Sequence, residues 1–269
     1  MTRLPLVFLI LGFWASLCAQ DGPRVNVPTK APPDPYQYRK TVYPWRQNIT
    51  ATIFWIGEKP GGRNPTSNHQ SSWDGEWEKN YGGYDNPDAT ARENYAPKAF
   101  RPGLNPFYIA LPYNDCVNHR QHRPEASRVI PWFTRYKLPA GHSSCRGRWL
   151  QIYYKKKVCY AQWEDCGPFV TDDWKYVFGG HPPRNHANNK AGIDVSPAVR
   201  DYLGLKSGDK LHWRFVEFGN IPRGPWAWYG KNNPFINPEA NPDLQAARRY
   251  YEYLKKRRDE AYRKKELGS

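Results

Sequence analysis

The sequence predicts an all-β domain, a small barrel with long loops, followed by a helical tail. Three observations predict it. Short runs rich in β-branched and aromatic residues recur between Gly- and Pro-rich stretches. The body of the chain offers a single short helix, and its connections are long and irregular. Short strands joined in this way suit a decorated barrel.

Residues 1–19 read as a secretory signal: Arg3 gives the positive start, and residues 4–17 give an apolar run too short to span a bilayer comfortably. Cleavage is expected after Ala19, with a lipoprotein acylated at Cys18 as the alternative. Residues 20–47 carry Pro23, Pro28, Pro32, Pro33, Pro35 and Pro44 without a sustained period, so they form an extended lead-in. The barrel domain is expected over 48–220. Residues 48–57 (NITATIFWIG) form its first strand, and 105–113 (NPFYIALPY) another. Between them, residues 58–105 hold no convincing helix, and a loop of that length is usually functional. Residues 148–154 and 158–164 flank Lys155, Lys156 and Lys157 as a hairpin. A short helix starts at Pro197, and residues 210–218 make the last strand. An aromatic, Pro-rich extension covers 221–241. From 242 to 269, Leu244, Ala247, Tyr251 and Leu254 fall at helical spacing among many Lys and Arg. This tail reads as a solvated helix whose one apolar stripe packs on the barrel. The alternative is a helix for anionic wall polymers or a membrane surface.

The 269 residues are 16% aromatic, which argues against a disordered chain, and the length suits one large domain or two small ones. Formal charge is +15, or 39 − 25 = +14 once Arg3 leaves with the signal, so the partner is anionic or neutral rather than basic. With Cys18 gone, Cys116, Cys145, Cys159 and Cys166 remain, an even number in an oxidising compartment. Two disulfides follow, in any of three connectivities. A zinc site ranks below, because no CxxC pair exists. His119, His122 and His142 lie in an Arg-rich loop without a carboxylate motif, so neither metal nor cofactor is expected.

Residues 159–216 carry a more specific pattern. Asp165-Cys166-Gly167-Pro168-Phe169 ends a strand; a polar loop follows. Then come Ile193-Asp194-Val195-Ser196-Pro197, Leu203-Gly204 and Trp213-Arg214-Phe215-Val216. This order and spacing resembles the double-psi β-barrel superfamily: expansins, rare lipoprotein A and the family-45 endoglucanases. Thr50-Ala51-Thr52-Ile53-Phe54 is similar to the first barrel strand of expansins. The resemblance covers roughly 48–220 and implies a six-stranded double-psi β-barrel.

It also implies a site. The groove-facing Asp of those families corresponds to Asp194, flanked by Ile193 and Val195, which on a strand point to the other face. A carboxyl beside aromatic walls is partly desolvated, and its pKa rises toward that of a general acid. The competing role is capping of the helix at Pro197 by Asp194 or Ser196. Asp165 is the second carboxylate of the pattern, or else a turn-stabilising Asx residue. Thr52 corresponds to a first-strand Thr near the groove Asp. Inverting hydrolysis needs an acid and a base roughly 6.5–9.5 Å apart. Ile56 stands where the family-45 base would be, so Glu58 on the same strand face is the expected substitute, with Asp74, Glu76 and Asp85 as further candidates. Trp55, Trp73, Trp77, Tyr81, Trp163 and Trp174 are the expected sugar contacts, since flat aromatic rings suit sugar faces.

The expected function is that of a secreted or periplasmic, monomeric protein. It would cleave a polysaccharide (peptidoglycan, cellulose, xylan or pectin) by carboxylic-acid chemistry, as a hydrolase or lytic transglycosylase. The alternative is expansin-like loosening without cleavage. A nucleic-acid binder, suggested by charge and aromatics, is disfavoured by the leader and the cysteines.

Overall fold

The computed structural model describes residues 42–61, 66–118, 121–133 and 141–267, with side chains through 264. The expected signal, Cys18 and most of the Pro-rich lead-in lie outside the described residues, as does His119.

Strand β1 (Arg46–Ile53) starts two residues before the expected 48–57 run and ends at Ile53, short of Gly57. Helix α1 (Trp77–Tyr81) and the strand pair β2 (Arg92–Glu93) and β3 (Ala96–Pro97) lie within the long loop, where no helix was expected. Strand β4 (Tyr108–Leu111) precedes a second small ribbon, β5 (Cys116–Val117) with β6 (Gln121–His122), and helix α2 (Ala126–Val129). The hairpin is β7 (Trp149–Tyr154) and β8 (Lys157–Cys166). Its turn residues Lys155 and Lys156 both have positive φ, as a tight two-residue hairpin loop requires. Helix α3 (Trp174–Val177), strand β9 (Ile193–Val195), helix α4 (Pro197–Leu203) and strand β10 (Lys210–Val216) follow. Helix α4 has Pro197 in its first turn; Ser196 Oγ accepts from Val199 N at 3.3 Å, and Gly204 ends it at φ 75°. Helix α5 (Pro242–Leu267) is the tail.

Six strands close into one barrel in the order β1-β10-β7-β8-β4-β9. The sheet is mixed: β8 pairs with β4, and β9 with β1, in parallel, while the other pairs are antiparallel. Alternation along the strands fills the core with Ile49, Ile109, Leu150, Ile152, Trp163 and Trp213, among others. Closure leaves no barrel edge exposed, the usual liability of a sheet.

A second apolar cluster fastens the long loop to the outside of β1 and β4. It consists of Phe54, Ile56, Trp77, Tyr81, Leu104, Tyr108 and Ala110. Beside it, Tyr108 Oη donates to Asp85 Oδ2 at 2.7 Å, and Arg92 pairs with the same buried carboxylate. Asp85 therefore anchors the loop and does not supply a catalytic base.

The chain divides into two units: Pro28–Glu252, which holds the barrel, and one whose described residues are 253–267. In the first unit the start of α5 packs through Ala246 and Ala247, both buried, and Asp243 pairs with Arg148 at 2.8 Å. In the second unit the helix is solvated, with Tyr253 and Tyr262 exposed. No helix among the described residues is long and apolar enough to cross a membrane.

Candidate active-site groove

The register sets four residues in a row across neighbouring strands. Thr52 on β1 lies beside Asp194 on β9, Asp194 beside Ala110 on β4, and Ala110 beside Asp165 on β8. The two aspartates are thus two strand spacings apart, roughly 9–10 Å at the backbone, with only a methyl group between them. Above this row is a groove of about 660 Å³ lined by Thr52, Glu58, Ala110, Asp165, Gly167 and Asp194. Gly167 keeps it open: a Cβ there would lie 3.2 Å from Asp194 Oδ2.

Thr52 Oγ1 donates to Asp194 Oδ1. Burial is the main cause that pushes the Asp194 carboxyl up, to about 7; the Thr52 hydrogen bond opposes this, and the Asp165 and Glu58 charges add to it. Asp165 is likewise pushed up by burial, to about 6, against hydrogen bonds from Ser72 N and Cys166 N, each at 2.7 Å. Asp165 thereby ties the long loop to the end of β8. The Asx contact to the Gly167-Pro168 turn is not formed, since Gly167 N donates to Leu111 O at 3.1 Å, and Asp165 instead faces the groove. Glu58 reaches the same space, and Asn68 Nδ2 donates to its Oε2 at 2.9 Å.

The arrangement offers chemistry as well as shape. A carboxyl that titrates near neutral pH can donate a proton to a leaving oxygen, and a second carboxylate nearby can take one from water. Capping of α4 falls to Ser196, so Asp194 is released from that duty. Ile56 is fully buried in the second cluster, which is why it contributes nothing to the groove. Asp74 and Glu76 are engaged elsewhere, with Arg146 and Lys79.

The aromatic expectations fare differently. Trp77 and Tyr81 are 1% and 0% exposed, and Trp163 is 0% exposed; all three are core residues, not sugar contacts. The apolar side of α1 explains the first two: a polar-looking loop hides a helix turn whose only large rings face inward. Trp163 points inward because β8 alternates, and its ring packs at 5.7 Å on Trp73. Trp73 is half-buried, bonds Asn114 through Nε1 at 2.9 Å, and lines another cavity. Trp174 packs against the core, and half-buried Trp55 is absent from the groove lining. Phe169, 48% exposed at the groove, is the aromatic that the residue pattern did not single out, although it follows the Gly167-Pro168 turn directly.

The cysteines also depart from expectation. Cys116, Cys145, Cys159 and Cys166 are all free, with no pair at disulfide distance. Cys159 and Cys166 lie on one strand, seven residues and so roughly 23 Å apart, far beyond the Cα separation of a disulfide. Cys159 is fully buried between hairpin and core, out of reach of a partner. Without a bound cation, burial pushes all four thiols up and favours their protonated form. Denatured without reductant, a chain lacking Cys18 is expected to release four thiols in a colorimetric titration. Two or fewer would restore the cross-linked reading.

No protein-family model, curated protein or solved structure matches this chain.

Proposed function

We propose that this chain is a polysaccharide-active protein with a double-psi β-barrel, exported from the cell, that cleaves a glycosidic bond using Asp194 as general acid. The observation that carries this reading is the Asp194 carboxyl: bonded by Thr52, raised to about 7, and facing a groove shared with Asp165 and Glu58. The two parallel pairings and the closed order of six strands are compatible with the double-psi topology. Glu58 takes the role of base if cleavage inverts the anomeric centre. Where a substrate hydroxyl attacks, as in a lytic transglycosylase, Asp194 suffices. The glycan is neutral or anionic, in keeping with the positive chain.

Burial of Ile56 favours a second reading. The first-strand base of an inverting endoglucanase is absent from its place, so non-hydrolytic, expansin-like loosening competes. Incubation with peptidoglycan, cellulose, xylan and pectin separates the two. New reducing ends or anhydro-sugar products are expected from at least one of them. Weakened polymer without any new end would leave the loosening reading, and neither effect on any substrate would remove both.

A further inference from the structure

Outside the groove, the densest chemistry lies on the β5–β6 ribbon. Its register sets Cys116 opposite His122, and Asp115 precedes Cys116. One ligand-type atom from each (a carboxylate oxygen, the thiol sulfur and a ring nitrogen) falls within 4.8 Å of the other two. Zinc bonds of about 2.0–2.3 Å imply tetrahedral ligand atoms roughly 3.3–3.8 Å apart, so the three need to close by about 1 Å. We propose that Asp115, Cys116 and His122 bind one divalent cation of zinc type, with a further position left for water or a ligand from the adjacent cavity.

Four observations support the site. Thiolate, imidazole and carboxylate are the three donor types that zinc takes from proteins. Asp115 is 0% exposed and, among the described residues, pairs with no Lys or Arg, the His122 ring lying 4.0 Å away. A buried carboxylate so weakly compensated gains from a bound cation. The donors are also held. Ser143 Oγ and Ser144 N donate to Asp115 Oδ1 and Oδ2 at 2.5 and 2.6 Å, and the His142 carbonyl accepts from His122 Nε2 at 2.8 Å, which leaves Nδ1 as the ring nitrogen able to bind a cation. Outer contacts of this kind orient metal ligands. Finally, a cavity of about 570 Å³ is lined by Cys116, His142, Ser143 and Ser144. Ser144 Oγ is buried there without a hydrogen-bond partner among the described residues. None of the three residues lines the groove, so the proposal does not rest on the glycan chemistry.

The test uses the full chain, reduced and stripped with chelator, then titrated with Zn²⁺ or Co²⁺ alone. One equivalent of Zn²⁺ is expected to survive dialysis, and Co²⁺ should give a thiolate charge-transfer band that Zn²⁺ displaces. Cys116→Ser should lose the band. Ser143→Ala, which keeps all three donors, should weaken Zn²⁺ binding by about 10–100-fold, and His122→Gln by more. His122 is half-buried, so His122→Gln carries the test if Asp115→Asn fails to fold. Unfolding curves in chelator check each variant. Failure to retain stoichiometric Zn²⁺, a band or affinity unchanged in both Cys116→Ser and His122→Gln, or Cys116 found in a disulfide would each overturn the site.

Discussion

Replacing Asp194 by Asn is expected to lower glycan cleavage at least about a hundredfold, the low end of what general acid catalysis contributes. Asn is nearly isosteric and still accepts the Thr52 hydrogen bond, but it has no proton to give. Stability should move the other way at alkaline pH. The folded pKa of Asp194 is about 7, above its ordinary 3.8, so its contribution to stability is fully present below about pH 4 and is lost as pH rises through 7. Asp165, at about 6, acts in the same direction. At pH 8 the parent thus holds a desolvated charge that Asp194→Asn removes, and the variant should unfold at a higher denaturant concentration there. Activity of the parent should fall above pH 7, as the acid loses its proton. The pair of measurements is a pH–rate profile and denaturant unfolding at pH 5 and pH 8. Cleavage per folded molecule retained in Asp194→Asn would sink the acid. If Glu58→Gln loses as much activity, two carboxylates act; if it keeps activity, one does.

The groove was legible in sequence where chemistry and spacing coincide. Asp194 between Ile193 and Val195, and Thr52 in its β-branched run, define their own strand faces, and parallel pairing brings them side by side. Glu58 lines the groove from beyond the end of β1, past a turn in which Glu58 N donates to Trp55 O at 3.1 Å, so period-two counting from Ile56 does not account for its place. The aromatic wall was not legible, because a ring alone does not say which side of the chain is buried. Trp77 and Tyr81 sit four apart among polar residues, a spacing that on α1 puts both on one inward face. Their partners, Phe54, Leu104 and Tyr108, are remote in sequence. The cysteines misled for the opposite reason. Even parity suits cross-links, but Cys159 is committed to the inner face of β8, and seven residues of extended chain part it from Cys166. Asp115, Cys116 and His122 carry no legible motif, since strand register and not a CxxC spacing brings them together.

Trp77→Ala is expected to destabilise the protein by about 3–5 kcal/mol, the usual loss for a buried large aromatic truncated to Ala. That is a large part of the roughly 5–15 kcal/mol that holds a typical domain together. Trp77 is 1% exposed, stacks edge-on to Tyr108 at 5.3 Å and lies 6.1 Å from Phe54. Its ring is thus central to the cluster that pins the long loop to β1 and β4. Loosening this cluster also disturbs Ser72 and Asn68, the loop residues that hold Asp165 and Glu58. The groove should therefore be lost as Trp77→Ala unfolds, while binding per folded molecule at low temperature should persist. Phe169→Ala is the counterpart: its ring is 48% exposed at the groove, so polysaccharide pull-down should weaken with unfolding almost unchanged. Urea unfolding and pull-down on both variants decide between the two roles. A Trp77→Ala protein within about 1 kcal/mol of the parent, well under the cost of an unfilled core site, yet unable to bind glycan, would return that ring to the sugar platform.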